Sequence, residues 1–279
     1  MYKRYCLYLL GLMSMHAAQA QTIIKPTISS KTSFAIVVDA STFAKAEKEI
    51  LDYKQAVEKS GLGTYVIYAN WTSPDAIKGQ LQKLYNKKSQ PLEGTVLIGD
   101  IPIVMVRDAQ YLTSAFKMNQ KIRWERSSVP SDRFYDDFDL DFTFLKQDTA
   151  ASRSNLYYYT LAAESPQYIE MDIYSARIKP PVAAGEDATE KIQAYLRKVV
   201  ANKLEANPLT DMIASTGHGY NSNAISSVVG DAVALRTQFP NLYKVGNSFK
   251  TLNYRQTNTL KFNLLRELKR PGLDFALMT

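Results

Sequence analysis

Phe34-Ala35-Ile36-Val37-Val38, closed by Asp39, is an unbroken apolar run between polar neighbours. It is short enough for a strand and continuous enough to be buried on both faces. Beyond it the period changes. Thr42 reads as an N-cap, and Ile50, Leu51, Tyr53, Lys54 and Val57 form a helical stripe that stops at Gly61-Leu62-Gly63. Thr64 to Tyr68 reads as a second strand. Ser73-Pro74-Asp75 opens a second helix through Ile77, Leu81, Leu84 and Tyr85, and Gly94 to Asp100 closes the series as a third strand. Strands alternating with helices need crossover connections, so the fold class expected is α/β with a mainly parallel sheet covered on both faces.

From about Asp108 to Pro166 the chain is rich in Tyr, Ser, Asp and Arg without a sustained period, and is expected to form long loops with a few short strands. Tyr168 to Tyr174 alternates apolar and polar residues, the pattern of a strand with one wet face. Pro180-Pro181 and Ala183-Ala184-Gly185 read as a linker, followed by an amphipathic helix from Thr189 to Leu204. A second alternating series then runs through strand 210–215, helix 222–239, strand 242–245, helix 258–269 and strand 273–279. The expected organisation is a signal peptide at 1–20, a first α/β subdomain at 21–182 with a long loop insertion, and a second at 183–279. Because Phe275 to Thr279 reads as an interior strand, and ligand loops of parallel sheets lie just past such strands, the second subdomain is expected to be incomplete.

Residues 1–20 have the three parts of a secretory signal: Lys3-Arg4, the apolar run Tyr5 to Met15, and Ala18-Gln19-Ala20 before Gln21. The apolar run is too short to span a bilayer, so the expectation is export across the inner membrane of a bacterium, to the periplasm, cell surface or exterior, with no stable anchor. The 279 residues carry a formal net charge of +7, two of which come from Lys3 and Arg4. The remaining excess is spread without a Lys/Arg block, which argues against nucleic acid as a partner. Cleavage would remove the single cysteine, Cys6, and one of the two histidines, His16, leaving His218 and no thiol. That excludes disulfides, Cys/His zinc sites and a Cys-His pair made from residues 21–279 alone.

Several segments in order then carry a resemblance. Val96-Leu97-Ile98-Gly99-Asp100-Ile101-Pro102 is a strand ending in Gly-Asp before Ile-Pro. Ser131-Asp132-Arg133-Phe134-Tyr135-Asp136-Asp137 is a Ser-Asp-x-x-Tyr-x-Asp loop, and Ile173-Tyr174-Ser175-Ala176-Arg177-Ile178 is a strand ending in Arg. With the opening strand and helix and with Met212-Ile213-Ala214-Ser215, they make the chain resemble the gingipain-type cysteine peptidases, a secreted bacterial branch with the caspase-like fold. The departures are Ala176, where the family usually has Gly, and an expanded loop from Leu145 to Gln167. The resemblance implies two side-by-side α/β subdomains and proteolysis by a Cys-His dyad. It also implies that the histidine follows the third strand of the second half and the cysteine the fourth, both beyond Thr279. The chain as given would then be an inactive, monomeric fragment of an endopeptidase acting on peptides or proteins. The alternative is a non-catalytic periplasmic binding or scaffold protein on the same fold.

Two other constellations are candidates. Thr216-Gly217-His218-Gly219 mimics the family's Thr-Gly-His-Gly signature, but His218 follows the first strand of its half, and it is a candidate base only in a hydrolase of another type; no Gly-x-Ser-x-Gly elbow accompanies it. Asp137, Asp139 and Asp141 offer alternate oxygen ligands of the kind calcium takes in a flexible loop, and the resemblance implies structural calcium. The same spacing also fits an alternation that turns Phe138, Leu140 and Phe142 inward. No cofactor is required by either reading.

Overall fold

The computed structural model describes residues 21–108, 119–168, 170–204, 211–215, 248–252, 265–266, 268–269 and 275–278. The chain divides into two compact units, 1–204 and 205–279. The protein is α/β, and its first unit contains two mixed sheets. In chain order the first sheet takes β1 (Thr22–Ile24), β2 (Ser33–Asp39), β3 (Gly63–Ala69) and β4 (Leu92–Ile98), with helices α1 (Ala40–Lys59) and α2 (Pro74–Tyr85) as crossovers. A late strand, Tyr174–Ile178, completes the order β1-β3-β2-β4-late strand. Only β1 runs antiparallel.

Every residue of β2 is buried, as its unbroken apolar run requires. Its side chains alternate between two cores. Ala35 and Val37 join Ile67, Leu97 and the α2 residues Ile77 and Leu81, whereas Phe34, Ile36 and Val38 join Val66, Ile98 and the α1 residue Ile50. Each such Ile or Leu, fully withdrawn from water, contributes about 1.5–3 kcal/mol. The start of α1 differs from the expectation. Asp39, not Thr42, is the N-cap: its carboxylate accepts from the Thr42 N–H at 2.9 Å. The helix begins directly after β2, so the last strand residue has to satisfy the free N–H groups. Ser73 caps α2 with Pro74 in its first turn, as read from the sequence.

The insertion holds more than loops. β5 (Ile103–Arg107), a short helix α3 (Trp124–Ser127), β6 (Val129–Pro130), α4 (Arg133–Asp136), β7 (Phe142–Gln147) and β8 (Leu156–Leu161) build a second sheet in the order β6-β5-β8-β7. The three tyrosines of β8 lie on a pleat. Tyr157 and Tyr159 enter the core beside α2, with their hydroxyls donating to Thr72 O (2.9 Å) and to the Asp75 carboxylate (2.5 Å). Tyr158 turns to the other face, beneath Lys146 and near Trp124. Strands this short carry little periodic signal, and aromatic burial against α2 decides their formation.

The alternation from Tyr168 to Tyr174 does not make a strand over that stretch. The Asp172 and Ile173 N–H groups donate to one acceptor, Asp136 O, and pairing starts only at Tyr174. The strand there, β9 (Tyr174–Ile178), runs parallel to β4. Helix α5 (Ala188–Leu204) then packs on the first sheet's α1 face, with Ile192 and Leu196 buried in the same core as Ile50. Gln193 reaches Lys45 O at 2.8 Å and Arg197 pairs with Glu49 at 2.7 Å. The helix after the 183–185 linker therefore belongs with the first sheet, and the compact unit extends to Leu204.

In the second unit, β10 (Asp211–Ser215), β11 (Ser248–Leu252) and β12 (Phe275–Met278) form an all-parallel sheet in the order β11-β10-β12. The strand expected at 242–245 and the helix expected at 222–239 lie outside the described residues; a described strand runs at 248–252 instead. Both units share one arrangement: the first parallel strand is central, the second lies to one side and the third to the other.

Candidate functional site

In the first unit, β2 leads through α1 to β3 on one side, and β4 lies on the other. The crevice of an open α/β sheet forms at such a reversal, outside the carboxyl ends of the strands. Here Asp39 ends β2 and Gly99-Asp100 follows β4. The Asp39 carboxylate bridges these strand ends, accepting from Thr42 N–H with one oxygen and from Asp100 N–H, at 2.7 Å, with the other. Gly99 has φ +82°, and a Cβ there would lie 2.2 Å from Asp39 Oδ2 and 2.4 Å from Thr42 Oγ1. The glycine is therefore needed both for its left-handed backbone and for space. Asp100 in turn accepts from Lys179 Nζ at 2.7 Å and from Asn155 Nδ2 at 2.8 Å.

Beside this crevice the three segments that carry the sequence resemblance meet at Arg177. Its Nε and Nη2 donate to the two oxygens of Asp132 at 3.0 and 2.7 Å. Nη1 and Nη2 also donate to Ile101 O at 2.9 Å and Pro102 O at 3.1 Å. Tyr135 completes the junction by donating its hydroxyl to Pro102 O at 2.8 Å; burial pushes that phenol's pKa far up, so it stays a donor. A fork of this kind suits guanidinium and not ammonium. The ion pair lies wholly within the first unit.

The acidic loop next to this junction is built unlike a cation cage. Asp137 is buried, whereas Asp139 and Asp141 are exposed. Phe138 and Phe142 pack against the core and Leu140 is inside it. Asp137 Oδ2 accepts from Glu170 N–H at 3.2 Å. Among the described residues no three His, Cys, Asp or Glu side chains converge to hold a metal, so Asp137, Asp139 and Asp141 are not brought together. Alternation along the chain accounts for their spacing.

Asp136, which the sequence placed in the Ser-Asp-x-x-Tyr-x-Asp loop without a role, is the most perturbed carboxyl. It is fully buried, paired with Arg133 at 2.5 Å, and accepts from the Ser175 hydroxyl. Burial nonetheless raises its pKa to about 6, because Ser175 and Arg133 offset only part of the desolvation. One oxygen each of Asp136 and Asp137 is buried without a partner. Lys78 sits nearby, donating to Leu140 O at 2.8 Å over the Phe134 and Phe142 rings; burial lowers its pKa against the pull of Asp137 and Asp141.

His218, and with it the Thr216 to Gly219 segment, lies outside the described residues, as do Cys6 and His16. The described residues thus contain no thiol and no imidazole. They provide a sheet edge at which Asp39, Asp100, Asp132 and Arg177 are tied to one another's segments by hydrogen bonds, while one oxygen each of Asp136 and Asp137 stays without a partner. That arrangement can support and position neighbouring groups. No helix among the described residues is long and apolar enough to cross a membrane. Compared with protein-family models, with curated proteins and with solved structures, the chain matches none.

Proposed function

We propose that this chain is the scaffold portion of an exported gingipain-type cysteine endopeptidase, with two caspase-like α/β subdomains and a Cys-His dyad supplied by residues outside 1–279. The observation that carries the reading is the junction at Arg177. Gly99-Asp100-Ile101-Pro102, Ser131 to Asp137 and Ile173 to Ile178 were read from the sequence as separate family-like segments, yet they interlock through one guanidinium and one phenol. Segments that resemble a family only by chance have no reason to form a single hydrogen-bonded unit. The central-strand-first order of both units agrees with the same reading. Peptides or proteins are then the substrates. The scaffold's part is to hold the carboxyl edge of its sheet rigid, which a thiolate-imidazole pair at fixed separation needs from its surroundings.

The test is made on the native polypeptide. The protein carrying residues 21–279 is isolated from the exporting cell, its mass is measured, and it is treated with a peptidyl acyloxymethyl ketone that alkylates peptidase cysteines. A mass above that of 21–279, with the label on a cysteine past position 279, is expected. A polypeptide with no cysteine after the leader would overturn the peptidase reading in favour of a non-catalytic binding or scaffold protein.

A further inference from the structure

We propose that an open pocket on the second sheet is a binding site for a compact dianionic oxyanion, a phosphoryl or sulfate group. The pocket has a volume of about 180 Å³ and is lined by Arg123, Glu125, Arg126 and Arg153. These residues come from separate segments: α3 with its preceding residue, and the 3-10 turn Ala151–Arg153 between β7 and β8. The tertiary fold, and no single charged run, brings these three arginines to the lining of one pocket.

The charges at this place do not cancel. Arg153 pairs with Asp148 at 3.0 Å, and Glu125 is engaged by Lys146 at 3.2 Å and lies 3.8 Å from Arg123. Arg126 donates its backbone N–H to Arg123 O at 2.9 Å, but its guanidinium has no hydrogen bond or ion pair to any described residue. Among the lining residues and their ion-pair partners, four cations, Arg123, Arg126, Arg153 and Lys146, therefore stand against two carboxylates, Glu125 and Asp148. Beneath them Arg107 and Lys146 lie over the Trp124 ring at 5.2 and 5.0 Å, which adds to the positive field and holds the wall of α3 in place. The excess of two matches a phosphoryl or sulfate dianion better than a single carboxylate. Several guanidinium groups in one pocket lining suit the oxygens of a tetrahedral anion.

This inference stands apart from the peptidase reading, since the pocket shares no residue with the Arg177 junction. The full chain is titrated calorimetrically at low ionic strength with inorganic phosphate, sulfate, acetate and chloride, as wild type and as Arg126→Gln and Arg153→Gln. Both arginines are exposed, and circular dichroism checks that the variants fold. Phosphate and sulfate are expected to bind saturably at one site, acetate about tenfold more weakly, and each substitution is expected to weaken phosphate about tenfold. Glucose 6-phosphate distinguishes the source: tighter binding than inorganic phosphate marks an organic phosphate as the occupant, and weaker binding marks the free anion. Absence of saturable binding, equal binding of acetate, or an affinity unmoved in Arg126→Gln would overturn the proposal.

Discussion

Arg177 and Asp136 show how much a single side chain carries at the edge of the first sheet. Arg177 uses three nitrogens to hold one carboxylate and two carbonyls, with only 17% of its side chain exposed. Arg177→Lys keeps the charge and loses the fork, leaving carbonyls and part of Asp132 unsatisfied. Chemical denaturation should show a loss of about 3 kcal/mol, and an unchanged midpoint would mean the junction is not a unit. Asp136 acts in the opposite direction. Its folded pKa, about 6, is above the ordinary carboxylate value. The folded state therefore binds the extra proton, and the resulting stability is complete below about pH 4 and lost as pH rises through about 6. Asp136→Asn cannot titrate and retains an acceptor for Ser175. Relative to wild type it should gain on the order of 2 kcal/mol between about pH 4 and 6.5. Urea melts at several pH values measure this, and parallel curves would refute it.

Elements are joined here by their ends. Asp39 caps α1 and at the same time ties β2 to the residue after β4, so strand, helix and turn share one carboxylate. Gly99→Ala places a methyl group against that carboxylate and forces a β-carbon onto a left-handed backbone. The expected cost is about 2–3 kcal/mol in thermal or denaturant unfolding; a neutral result would show that α1 can shift to make room. A second end-to-end tie involves Glu58 in the last turn of α1. It accepts from Lys54, from both donors of Thr27 and from Thr64 N–H. Burial alone would raise its pKa, but these bonds together lower it, so this group strengthens the fold towards neutral pH while Asp136 weakens it.

For the whole molecule, both hydrophobic cores of the first unit lie within residues 34–196 and close around β2 and β4 from two sides. A fragment of residues 21–204 should therefore fold without the second unit. Expressed alone, it should give one cooperative urea transition and near-ultraviolet circular dichroism from its buried tyrosines. A broad, uncooperative transition would mean that the second unit is required for packing.

Much of this was legible in the residues. The unbroken run Phe34 to Val38, the Ser73-Pro74 helix start and the glycine stops determined an α/β order with parallel strands, because burial on two faces and capping leave local marks. Short strands were expected between Asp108 and Pro166, but their joining into a second sheet was not legible, since β6 has two residues and β7 breaks its own alternation, so the sheet exists through aromatic burial against α2. Nor could the residues say that Asp137, Asp139 and Asp141 would separate into one buried and two exposed carboxylates. The same holds for Arg177 finding Asp132, 45 positions earlier. Local periodicity reports which face of an element is apolar; which charged groups meet across elements depends on chain crossings that only the folded molecule decides.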